Sequence, residues 1–106
     1  MRLPAFLLAL AVATPALAKP VTIETSLPAC IAIADFHKLI QLNEQDKATA
    51  ARFMQEKYQS GDCGRLKAGK GWIMKTMIYR GEDYACIRPD GEFECLWTLN
   101  LGIGQP

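Results

Sequence analysis

The chain holds a single histidine, and none of its four cysteines stands at C-x2-C spacing from another. A structural zinc site therefore lacks its usual ligand set, and the dithiol motif of redox catalysts is missing too. No G-x-S-x-G run marks a nucleophilic serine. Neither sign of charge is in excess. The formal net charge is +1, and with Arg2 set aside 11 Lys plus Arg face 11 Asp plus Glu. Such a balance gives no global field to gather nucleic acid or anionic lipid. Internal repeats and low-complexity tracts are absent as well.

Long apolar runs are also scarce. The one present, within Pro4 to Leu17, is about a dozen residues and contains Pro15, short of the roughly 20 that cross a bilayer. With Met1 and Arg2 before it and Ala16-Leu17-Ala18 at its end, it reads as a secretory signal peptide over residues 1–18. No cysteine adjoins the expected cut, so the lipoprotein pattern does not apply. The expected product is a soluble periplasmic or secreted protein of about 88 residues, residues 19–106, in a compartment where thiols oxidise. One core is marginal at that size, and covalent staples matter.

Residues 19–25 read as a tail or a β-strand carrying Val21 and Ile23. Ser26 then suits a helix N-cap, with Pro28 tolerated in the first turn and an apolar stripe at Cys30, Ile33, Phe36 or His37, and Ile40. This spacing predicts a helix from Leu27 to Leu42. Asn43 is placed to cap a second helix, with Glu44 and Asp46 in its first turn and Ala50, Phe53, Met54 and Tyr58 on its apolar face. Ser60-Gly61-Asp62 ends it. From residue 64 to 101 the pattern turns to strands: Trp72 to Tyr79, Tyr84 to Arg88 and Phe93 to Leu99, the first two joined through Arg80-Gly81-Glu82-Asp83. The first has apolar residues on both faces, Trp72, Met74 and Ile78 against Ile73, Met77 and Tyr79, and is expected to be buried on both sides. The fold class is α+β in one domain, a helical hairpin (26–62) packed on a small antiparallel β unit (64–101).

The Arg88-Pro89-Asp90-Gly91-Glu92-Phe93 segment is a hairpin signal. A two- or four-residue loop sets Cys86 opposite Cys95 and Tyr84 opposite Trp97; a three-residue loop shifts the register by one and parts the cysteines. Taking the bridge, Cys30 pairs with Cys63 by subtraction, because an antiparallel helical hairpin brings those two positions together. Each closure is expected to contribute roughly 3 to 4 kcal/mol.

Among chemistry-bearing residues, His37 stands alone on a helix and reads as a helix-face or core-edge histidine. Ser26 and Ser60 are explained by capping. Glu92 and Glu94 alternate onto one side of a strand, a solvated face rather than an acid pair across a cleft. Arg65, Lys67, Lys70, Lys75 and Arg80 run without an acid between them, and Glu82, Asp83, Asp90, Glu92 and Glu94 follow with only Arg88 opposing. Mutual pairing across the sheet is the plain expectation. The functional alternative is a binding surface made of Trp72, Tyr79, Tyr84, Trp97, Arg80, Arg88 and Lys75.

Leu66-Lys67-Ala68-Gly69, the strand from Ile73, Tyr84-Ala85-Cys86-Ile87-Arg88, the Asp90-Gly91 turn and Leu96-Trp97-Thr98 resemble the rhythm of bacterial SH3-like (SH3b) domains. The resemblance covers about 40 residues. It implies an SH3-like β unit and, for Tyr84 and Trp97, a place in a binding groove. The layout as a whole is similar to short exported proteins of Gram-negative bacteria. No cofactor, metal or catalytic set is expected. Binding of a protein or a cell-envelope polymer is the expected role, with inhibition of an enzyme through the 88–93 loop as the alternative.

Overall fold

The computed structural model describes residues 18–100. The expected signal peptide lies outside them, apart from its last position, Ala18. Among the described residues the fold is α+β. In chain order it runs β1 (Lys19–Ile23), β2 (Leu27–Cys30), α1 (Ile33–Gln45), α2 (Lys47–Ser60), β3 (Cys63–Leu66), β4 (Gly69–Tyr79), β5 (Glu82–Pro89) and β6 (Leu96–Leu99). All six strands form one antiparallel sheet in the order β1-β4-β5-β6-β2-β3.

The segment expected to open the first helix is instead the strand β2. Its cross-strand partners are what override the helical spacing: Leu27 to Cys30 pair with Leu66 to Cys63, and Cys30 also pairs with Trp97. Pro28 has no N–H to give a ladder, and the Thr98 hydroxyl donates to its carbonyl at 3.1 Å. Ser26 caps nothing; its Oγ and carbonyl accept from the Arg65 guanidinium at 2.9 and 3.0 Å. Helix α1 starts after Ala32, whose side chain supplies no cap. The break between helices falls at Asp46, not Asn43, which with Glu44 stays inside α1. The Asp46 N–H donates to the Leu42 carbonyl to close α1. Its carboxylate opens α2 by accepting from the Ala48 N–H (3.1 Å) and the Thr49 hydroxyl (2.7 Å). Gly61, at φ +84°, ends α2 as expected.

Alternation divides the core in two. On one face Val21, Ile23, Ala29, Leu66, Ile73, Ala85 and Ile87 form a buried cluster that includes both edge strands, so the sheet curls round its own apolar interior. On the other, Cys30, Cys63, Tyr84, Cys86 and Trp97 meet Phe36, and Ile33, Leu39, Ile40 and Met54 of the helical pair pack against them.

Both expected disulfides are present, with different surroundings. Cys30 and Cys63 are directly paired residues of β2 and β3, Cα to Cα 3.9 Å, and so sit on strands beyond the helix ends. Cys86 is joined to Cys95 although its cross-strand partner is Trp97. The register is displaced by two residues from the expected one. Tyr84 therefore faces Leu99, and β6 begins at Leu96 rather than Phe93. A shift of two preserves the face, and Cys95 reaches Cys86 diagonally.

The β4 expectation also needs correction. An irregularity between Ile73 and Lys75 takes up Met74 as a bulge and reverses the alternation beyond it. Ile73 and Ile78 consequently share one face, with Met77 and Tyr79 on the other. Strand β1 pairs only with Gly69 to Ile73, so the far half of β4 has β5 as its sole neighbour, and Lys75 to Ile78 are exposed. The hairpin closes on two residues, Arg80 and Gly81, both with positive φ (50° and 87°), as a tight antiparallel turn requires.

Candidate binding site

The six residues Asp90 to Cys95 connect β5 to β6. The Glu92 N–H donates to the Pro89 carbonyl at 3.0 Å across a turn in which Gly91 has φ +89°, a conformation open to glycine. The Arg88 guanidinium donates to the Glu92 carbonyl at 3.0 Å, and the Asp90 N–H to the Lys70 carbonyl at 3.1 Å. With Cys95 fastened to Cys86, the loop is held at its start, its middle and its end. Phe93 stands on this clamped loop 97% exposed, between the exposed carboxylates of Glu92 and Glu94.

Beside the loop is a groove of about 730 Å³. Arg65, Lys67, Lys70, Asp90, Glu92 and Glu94 line it together with Leu96. The expected mutual pairing of these charges does not occur. Among the described residues the ion pairs are those of Lys57 with Asp35 (3.4 Å) and with Asp62 (3.8 Å). Arg65 is taken up by Ser26 and by the Tyr58 hydroxyl, at 3.4 Å from the latter. Lys75 lies over the Trp97 ring, 5.7 Å from its centroid, and Arg80 over the Tyr79 ring at 5.6 Å. The fold thus brings both signs of charge to one groove without a direct ion pair between them among the described residues.

The seven residues read from the sequence as a binding surface are spread over different surroundings. Tyr84 is fully buried and Trp97 nearly so, both within the helix-side cluster, so they form no open aromatic platform. Trp72 is half-buried opposite Arg88, and Arg88 itself braces the loop. Tyr79, Arg80 and Tyr84 meet His37 at the far end of the β4–β5 hairpin, with the His37 ring 5.3 Å from Tyr79 and 5.9 Å from Tyr84. His37 is buried and Nδ1 contacts the Tyr84 hydroxyl. Burial, then the charge of Glu82 and the neighbouring Tyr79, push the Tyr84 phenol up to about 12. Sequence reasoning missed Phe93, because it was placed inside a strand. The available signal was a lone aromatic between acids directly after a Pro-Asp-Gly turn.

Among the described residues there is no group of three or more His, Cys, Asp or Glu side chains able to hold a metal ion, and no helix long and apolar enough to cross a membrane. Compared with protein-family models, with curated proteins and with solved structures, the chain matches none.

Proposed function

We propose that the protein is a disulfide-braced binding module that works in the periplasm or after secretion and engages a protein partner through the β5–β6 loop. The observation that carries this reading is Phe93, an aromatic side chain 97% exposed on a loop that is fastened along its length. Exposing a phenylalanine costs solubility with no return in folding, whereas a pre-ordered aromatic anchor loses little entropy when it enters a partner's pocket. The acids on either side add orientation and select a basic rim on the partner. Two cystines with no free cysteine suit an oxidising compartment. The curled sheet with its own apolar interior suits the SH3-like reading of the β unit.

A photo-crosslinking residue in place of Phe93, in the protein exported from its own cells, tests this. One discrete protein adduct at position 93, absent when the same residue replaces exposed Ala51 on α2, is the expected result. No adduct at 93, or the same pattern from both positions, sinks the proposal. Inhibition of an enzyme is the form this binding takes if the adduct is an enzyme whose activity is restored by Phe93→Ala. An envelope polymer is the second reading, favoured by the cations Arg65, Lys67 and Lys70 that line the groove. Retention on purified sacculi that is lost in a Lys67→Gln, Lys70→Gln double variant would establish it.

A further inference from the structure

A second cavity, of about 330 Å³, lies at the opposite end of the β4–β5 hairpin, roughly 30 Å along the strands from the Phe93 loop. One face of α1 lines it with Ala34, His37, Lys38, Gln41, Leu42 and Gln45, and the hairpin tip closes it with Tyr79 and Arg80. His37, Gln41, Gln45 and Arg80 bring hydrogen-bonding groups to it, whereas the Lys38 ammonium lies over the Phe53 ring, 5.4 Å from its centroid. No carboxylate is among the lining residues, and Glu82, whose charge acts on Tyr84, does not line the cavity.

His37 is the centre of this arrangement. Only 8% of it is exposed, and Nδ1 is engaged by the Tyr84 hydroxyl on the core side. Among the described residues His37 is the one hydrogen-bond partner of the Tyr84 hydroxyl, and Nδ1 is thereby occupied on the core side. Nε2 is the ring nitrogen left for the cavity, and it carries a proton whenever the phenol is the donor to Nδ1. Nε2 has no protein partner among the described residues, yet no buried side-chain nitrogen is unsatisfied, so Nε2–H opens onto the cavity that His37 lines. At the hairpin tip the Arg80 guanidinium lies over the Tyr79 ring, and both residues line the cavity.

We infer that this cavity is a binding site for a small molecule bearing an oxyanion, a carboxylate or a phosphate, held by the His37 Nε2–H and the Arg80 guanidinium. Gln41 and Gln45 supply amides for the rest of the ligand. The volume is at the low end for ligand sites and fits a compact metabolite rather than a polymer. The site is separate from the Phe93 loop and does not rest on the reading of it.

The lone histidine makes the test direct. Ring resonances of His37 are followed by NMR at fixed pH in the oxidised chain while sodium acetate or inorganic phosphate is added, with sodium chloride at matched ionic strength as reference. A saturable shift with either anion is expected, weakened about tenfold by Arg80→Asn, which keeps the left-handed turn and removes the charge. Saturation with acetate alone assigns a carboxylate ligand, and with phosphate alone a phosphate ester. Chloride giving the same response, or an affinity unchanged by Arg80→Asn, overturns the inference.

Discussion

The two cystines close loops of very different length, and this gives a quantity that can be checked. The Cys30–Cys63 bridge spans a separation of 33 residues and Cys86–Cys95 one of nine. Loop-closure entropy assigns about 3.7 kcal/mol to the first and about 2.6 kcal/mol to the second. Cys30, Cys63 and Cys86 are buried and Cys95 half-buried, so replacing either pair by alanine removes similar packing from the same cluster. The difference between pairs is therefore a cleaner measure than either value. Urea unfolding of the oxidised Cys30→Ala, Cys63→Ala variant is expected to show about 1 kcal/mol less stability than the Cys86→Ala, Cys95→Ala variant. Its m-value should rise more, because a longer constraint has been lifted from the unfolded chain. Loss of both bridges, about 6 kcal/mol, is a large share of the roughly 5 to 15 kcal/mol that holds a domain. Should the short-loop variant prove equally or more destabilised, unfolded-state entropy is the wrong account and native packing of the sulfurs the right one.

Phe93→Ala is expected to shift stability by no more than about 0.5 kcal/mol, whereas Ile87→Ala, inside the sheet cluster, costs about 2 to 5 kcal/mol; thermal unfolding of the pair separates a displayed side chain from a packed one. Tyr84→Phe leaves the buried His37 Nδ1 without its hydrogen-bond partner and costs about 1 to 2 kcal/mol by chemical denaturation. The same substitution bears on the alkaline limb. The folded phenol titrates near 12 and the unfolded one near 10, so the unfolded state releases its proton first and stability falls as pH rises across that window. The Tyr84→Phe protein should lack that contribution. At the acid end, the Thr49 hydroxyl and Ala48 N–H hold the Asp46 carboxyl below its ordinary value. Its contribution is present above the unfolded pKa and is lost as pH falls through the folded one. Asp46→Asn, which still caps α2, should flatten that part of the stability profile.

Local chemistry was legible where one residue type carries the decision. The Pro-Asp-Gly turn, the Gly61 helix stop and the pairing of the four cysteines could all be read from the chain alone. Leu27 to Cys30 could not, because an apolar residue every three or four positions fits a helix and a short doubly paired strand equally well. Only β3 and β6, far along the chain, decide between them. The displaced register between β5 and β6 has a similar origin: parity put Cys86 and Cys95 on one face, but loop length was settled by the Arg88 and Lys70 contacts that clamp residues 90 to 92. The Met74 bulge left no mark in composition. Of the surface residues proposed from the sequence, Tyr84 and Trp97 went inside because a chain this small has few other aromatic side chains with which to fill the space under its helices.

Both cystines lie on the helix-facing side of the sheet, while the opposite cluster from Val21 to Ile87 contains no sulfur bridge at all. The molecule is thus locked on one side by bonds that only an oxidising milieu sustains, and on the other by burial alone. In a reducing cytosol the curled half retains its means of cohesion and the helical layer loses its fastenings. Oxidation of the four thiols is thus the final assembly step, the one that stiffens the loop carrying Phe93.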